Sequence, residues 1–141
     1  MGVINAGVVI GLLTSDLDPT AIAQSELSAP HLIDSEVTHA LRRMTTSGAL
    51  SSPEAGAAFA SFRLLIIRRW PVTHLLPRMW ELRHNLSGYD ATYVALAEAL
   101  SEPLLTTDRR LAGAPGIRCQ LVIPERDTRS GRCPRWPAPP G

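Results

Sequence analysis

The sequence contains no lysine: all fourteen of its basic residues are arginine, set against thirteen acidic residues for a formal net charge of +1. A balance so near neutral identifies no partner by overall charge. Arginine's planar fork suits phosphate, although a GC-rich coding bias is the simpler account of the missing lysine. Cysteine is scarce, with Cys119 and Cys133 alone, no CxxC and no zinc-like Cys/His spacing. His31, His39, His74 and His84 form no HExxH and read as surface or core residues. These absences point to a reduced, cytoplasmic protein. No apolar run approaches the roughly 18–20 residues that a membrane helix needs. The apolar stretch from Val8 to Leu13 has no basic segment before it, so neither a signal peptide nor a membrane span is expected. Asp16-Leu17-Asp18 lacks the glycine and glutamate of an EF-hand loop and reads as a turn.

With 141 residues, 45% of them apolar, the chain has material for one well-packed domain. Val3-Ile4 predicts a first strand, and Gly7 to Leu13 a buried helix. Pro19 is placed to start a helix over Thr20 to Ser25. Pro30-His31-Leu32-Ile33 predicts a second strand, with Asp34 or Ser35 capping the next helix. Val37, Ala40, Leu41 and Met44 form one apolar face of that helix, and Gly48 ends it. Ser52-Pro53-Glu54 carries start signals for a helix to about Arg69. On its face Phe59, Phe62 and Ile66 recur. Trp70 to Thr73 is a candidate third strand, followed by a short helix holding Leu76, Met79 and Trp80. A further stripe, Tyr93, Leu96, Ala97 and Leu100, follows Asp90. Pro103 to Thr106 predicts a buried strand, Asp108 to Leu111 a short helix, and Cys119 to Ile123 the last strand. Strands alternating with amphipathic helices predict an α/β domain around a parallel sheet. From Pro124 onward Pro, Gly, Arg and Ser dominate. The expectation is a domain over 1–123 and an Arg/Pro-rich tail without fixed structure over 124–141. Arg126, Arg129, Arg132 and Arg135 lie in that tail, as does Trp136.

In a parallel α/β sheet, ligands bind beyond the carboxyl ends of the strands. Asn5 follows the first predicted strand, Glu36 lies near the start of the helix after the second, Asp90 opens a helix, and Asp108 follows the Leu104-Leu105-Thr106 strand. Any one acid at a helix start is explained as a cap on unpaired N–H groups. Three at one sheet edge repel one another and call for a cation. Oxygen ligands without His or Cys select Mg²⁺ or Mn²⁺. Such an ion activates water and stabilises charge on a phosphate under attack, singly or as a pair. Arg109 and Arg110 beside Asp108 are candidate phosphate contacts, whereas Arg42 and Arg43 read as surface residues.

The segment from Tyr89 to Leu100 (YDATYVALAEAL), followed by Pro103 to Leu111 (PLLTTDRRL), resembles the C-terminal half of a PIN domain. It is particularly similar to the VapC toxins of type II toxin–antitoxin systems. Pro30 to Val37 (PHLIDSEV), with Ala40 to Arg43 after it, resembles the second acidic motif, and Val3 to Val9 (VINAGVV) the first. The resemblance covers about residues 1 to 123. It implies a PIN-like three-layer fold, with four or five parallel strands flanked by helices. It also implies an endoribonuclease that depends on Mg²⁺ or Mn²⁺ and cuts tRNA or rRNA. Glu36, Asp90 and Asp108 take the places of family acids, and Thr106 that of a supporting hydroxyl residue. A homodimer and a VapB-type antitoxin partner are implied as well. Helix faces between Thr20 and Trp80 are the candidate antitoxin groove.

Two positions depart from the family pattern. Asn5 stands where an aspartate is usual, and Gly7 where a hydroxyl residue is common. An amide oxygen still binds a hard cation but adds no charge. A loss of about 3 kcal/mol there lowers affinity or rate roughly a hundredfold. The alternative function is therefore an inactive PIN-fold module that binds antitoxin or RNA without cutting.

Overall fold

The computed structural model describes residues 1–22 and 26–127. Five parallel strands form its core: β1 Gly2–Ile4, β2 Leu27–Pro30, β3 Ile67–Trp70, β4 Leu104–Leu105 and β5 Leu121–Val122, in the order β3-β2-β1-β4-β5. The helices are α1 Ala6–Leu13, α2 Leu32–Thr46, α3 Ser52–Leu64, α4 Leu76–Glu81 and α5 Gly88–Leu100. Successive strand residues point to opposite faces, and this alternation divides the core. Ile4 and Leu105 pack with Val8, Val9, Val37, Leu41 and Phe62 under α1, α2 and α3. Val3 and Leu104 pack with Val94, Leu96 and Ala97 of α5 and with Leu75 and Leu82 around α4. The three layers and the five-stranded parallel sheet match the sequence expectation. Among the described residues, no helix is long and apolar enough to cross a membrane.

Several element boundaries differ from those expected. β2 is Leu27–Pro30, not Pro30 to Ile33. Its four residues are all buried between β1 and β3, and the small side chains of Ser28 and Ala29 disguise it. Leu32 and Ile33 instead form the first turn of α2. Neither Asp34 nor Ser35 caps that helix, because the cap position is His31, which makes no side-chain cap bond. Asp34 pairs with Arg69 at 2.7 Å.

The start of α3 is displaced by one residue. Ser51 is the cap, in a reciprocal capping box with Glu54. The helix ends at Leu64 rather than near Arg69, and Leu65 is already extended (ψ 132). The strand that follows is Ile67–Trp70, three residues before the one expected; Ile67 is β-branched and buried. Phe62 is core, while Ile66 is 93% exposed, so the two share no buried face. In α4, Trp80 and Leu76 are exposed, and the buried anchors are the flanking residues Leu75 and Leu82.

Pro19–Ala21 is a single 3-10 turn. The rest of the helix expected to Ser25 lies mostly outside the described residues. Residues 124–127 are fastened to the turn after α1: Arg126 bridges Leu17, and the Asp127 N–H donates to the Asp16 carbonyl at 3.0 Å. The tail expectation for Arg129, Arg132, Arg135 and Trp136 falls outside the described residues.

Candidate active site

From β1 the chain winds outward through β2 and β3, then crosses to the other side of β1 to lay down β4. The strand order therefore reverses between β1 and β4. In open α/β sheets this switch point leaves a crevice at the carboxyl edge. Val3 and Ile4 pair with Leu104 and Leu105, so Asn5 and Thr106 emerge side by side.

These two residues are bonded. The Asn5 side-chain amide donates to Thr106 Oγ1 at 2.8 Å, and Asn5 Oδ1 accepts the Val8 N–H at 3.0 Å, capping α1. The cap fixes which end of the amide is oxygen, and hence the polarity of the Thr106 contact. Thr106 is fully buried, and its oxygen also accepts the Asp108 N–H at 3.0 Å. This chain of bonds ties the end of β4 to the end of β1 and sets Asp108 at the crevice.

Asp108 also caps the 3-10 turn Arg109–Gly113. Its two carboxylate oxygens accept from the Arg110 guanidinium at 3.1 and 3.0 Å. That pairing holds its carboxyl below the usual aspartate range. Asp90 sits at the third position of α5, where its N–H donates to the Ser87 cap at 3.1 Å. Its charge reaches both Arg110 and Tyr93.

Glu36 lies in the second turn of α2, beyond the reach of a cap, because that helix starts at Leu32. The simple explanation of Glu36 as a capping acid is thereby lost. Its Oε1 accepts the Tyr93 hydroxyl at 2.6 Å. Tyr93 is only 4% exposed. Burial and the bond to Glu36 hold its proton well above the ordinary tyrosine range. A groove of about 690 Å³ opens at Glu36 between α1 and α2, lined by Ile10, Leu32, His39, Arg43 and Tyr89 among others.

The structure thus brings Asn5, Thr106 and Asp108 into one bonded set and links Glu36 to α5, the helix that carries Asp90. Among the described residues, no three His, Cys, Asp or Glu side chains stand together as a ready metal-ligand group. The donor chemistry suits a hard divalent ion, but Asp108 is held by Arg110. Asn5 has an internal partner at each end of its amide.

Sequence reasoning missed two features. Tyr93 looked like one more member of the α5 apolar stripe; its polar end, one helical turn after Asp90, was the available signal. Thr107 was passed over because nothing in the sequence places it against Gly7. A Cβ at Gly7 would stand 2.5 Å from Thr107 Oγ1.

Fold and site together define an α/β protein whose polar residues are gathered at the switch point of a parallel sheet. Comparison with known proteins narrows this class. No protein-family model matches the chain. Over 103 residues it is 50% identical to Ribonuclease VapC1 of Mycobacterium tuberculosis, covering 72% of this chain and 77% of that protein. It is 39% identical over 127 residues to VapC ribonuclease Mb0985 of Mycobacterium bovis, covering 89% of this chain and all of the relative. In structure it resembles a toxin–antitoxin complex from Klebsiella pneumoniae, with TM-score 0.62, 17% identity, and coverage of 87% of this chain and 97% of that one. It also resembles M. tuberculosis VapC20, described as a Sarcin-Ricin loop cleaving toxin, with TM-score 0.57, 17% identity, and coverage of 84% and 99%. The chain belongs to the VapC family of PIN-domain ribonuclease toxins.

Proposed function

We propose that the chain cuts cellular RNA, tRNA or rRNA, at the crevice between β1 and β4, and that Glu36, Asp90 and Asp108 hold Mg²⁺ there, with Mn²⁺ able to replace it. The observation that carries this reading is the meeting of Asn5, Thr106 and Asp108 at the switch point. When bound, the ion supplies an activated water and stabilises charge on the phosphate. The protein's own residues do the rest. Thr106 seats Asp108 through its N–H, and Tyr93 holds Glu36. Exposed Arg109 and Arg110 provide positive charge at the rim for the RNA backbone. Asn5 contributes the latch between β1 and β4 in place of a charge.

The groove between α1 and α2 suits the segment of a VapB-type antitoxin. Its floor is apolar, and His39 and Arg43 give it polar contacts. We assign the protein to the cytoplasm, as a homodimer.

The test is cleavage of a total RNA pool at matched Mg²⁺ by the chain as given, by Asn5→Asp and by Asp90→Asn. Cleavage should require Mg²⁺, rise in Asn5→Asp and vanish in Asp90→Asn. A folded Asn5→Asp protein that cuts no RNA would remove the catalytic reading and leave the binding module.

A further inference from the structure

We infer that Tyr93 is a positioning residue, whose hydroxyl fixes the Glu36 carboxylate beside the helix that carries Asp90. The inference rests on the proposal that Glu36 and Asp90 hold the ion.

Two helices meet at one phenolic oxygen. Tyr93 belongs to α5 and Glu36 to α2. A phenol has one proton to give. An ionised carboxylate only accepts, so that proton goes to Glu36 Oε1, 2.6 Å away. The direction of the bond follows from that difference, and Glu36 is the acceptor.

Tyr93 also lies three residues after Asp90 on α5, so the two share a helix face. Among the described residues, its hydroxyl is the one hydrogen-bond donor to the Glu36 carboxylate. The bond engages Oε1 and leaves Oε2 uncommitted by it. A partly exposed glutamate without such an anchor samples several rotamers, and ordering it on ion binding costs free energy. The tyrosine removes that freedom in advance.

A buried tyrosine that merely satisfies its own hydroxyl would make the same contact. The two roles separate in a double-mutant cycle read by Mn²⁺ binding, using electron paramagnetic resonance of the free ion and the full chain. Tyr93→Phe keeps the ring in the core and should weaken Mn²⁺ binding by about tenfold or more, the scale of outer partners of metal ligands. In a Glu36→Gln background the same change should cost nothing further. Glu36→Asp keeps the charge but withdraws it from the hydroxyl, so it should match the loss in Tyr93→Phe. If Tyr93→Phe fails to fold, retained affinity in Glu36→Asp still refutes the inference. Wild-type Mn²⁺ affinity in folded Tyr93→Phe or in Glu36→Asp overturns the inference, as does an equal loss with and without Glu36. Asp90→Asn tests the underlying reading separately: it should lose the ion whatever Tyr93 does. A wild-type chain that takes up no Mn²⁺ overturns both.

Discussion

Asn5 and Thr106, separated by a hundred residues of sequence, are joined at 2.8 Å across the ends of two neighbouring strands. The same asparagine caps α1 through its other atom. Where the resemblance implies an aspartate, the fold thus holds a neutral clasp. Asn5→Ala removes both bonds and should destabilise the protein by about 1–2 kcal/mol, the range for losing a helix cap. Asn5→Asp should keep the cap, and the Thr106 hydroxyl can donate in the reverse direction. The added charge should raise Mg²⁺-dependent RNA cleavage by at least roughly tenfold, equivalent to about 1.4 kcal/mol. Unfolding midpoints and cleavage rates on the same preparations check both statements.

Arg110 occupies both carboxylate oxygens of Asp108, the atoms that the proposed divalent ion would use. Arg110→Gln should therefore bind Mn²⁺ more tightly than the unchanged chain, by calorimetry at low ionic strength. The advantage should shrink as salt screens the exposed guanidinium. An affinity that is unchanged or weaker counts against the competition. The acid limb has a definite sign. The pairing keeps the Asp108 carboxyl below its usual range, so the contact is complete above that range and is lost as pH falls through the lowered folded value.

Away from the site, Arg78 binds Glu98 through Nε at 2.7 Å and Nη2 at 3.0 Å, and the Arg118 N–H adds a third bond at 2.8 Å. Burial pushes the Glu98 carboxyl up, but these bonds outweigh it and the net shift is downward. Their contribution to stability is therefore full above the ordinary glutamate value of 4.5 and drains away as pH falls through the lowered one. Glu98→Gln should cost about 1–3 kcal/mol at neutral pH. It should also flatten the acid side of the stability curve, measured by urea unfolding across pH.

Gly11 is a packing position. A Cβ there would stand 2.7 Å from the Leu17 side chain, which is itself buried. Gly11→Ala should destabilise by about 1–3 kcal/mol through overpacking, despite the better helix propensity of alanine. An unchanged or raised melting temperature would contradict this.

The layers of the fold were legible because helix stripes such as Val37-Ala40-Leu41-Met44 repeat with the helical period. The long motif from Tyr89 to Leu111 made the family legible too. β2 was not, since a buried parallel strand written Leu-Ser-Ala-Pro carries no alternation, and the more apolar Leu32-Ile33 next to it is helical. β3 was hidden in the tail of the α3 pattern. Among site residues, the acids could be nominated from their places after strands and at helix starts. The bonds that define their roles run between α5 and α2, or between β4 and β1. Sequence spacing has no access to such pairs.

Gly7 has a last consequence. The space a side chain would take at that position is occupied by the Thr107 hydroxyl, which comes from the other side of the switch point. The two positions draw on one volume. A serine at residue 7 requires the exposed Thr107 side chain to turn its hydroxyl aside. Positions 7 and 107, far apart in the chain, are thus coupled across the switch point: a side chain at residue 7 sets which rotamer Thr107 can hold.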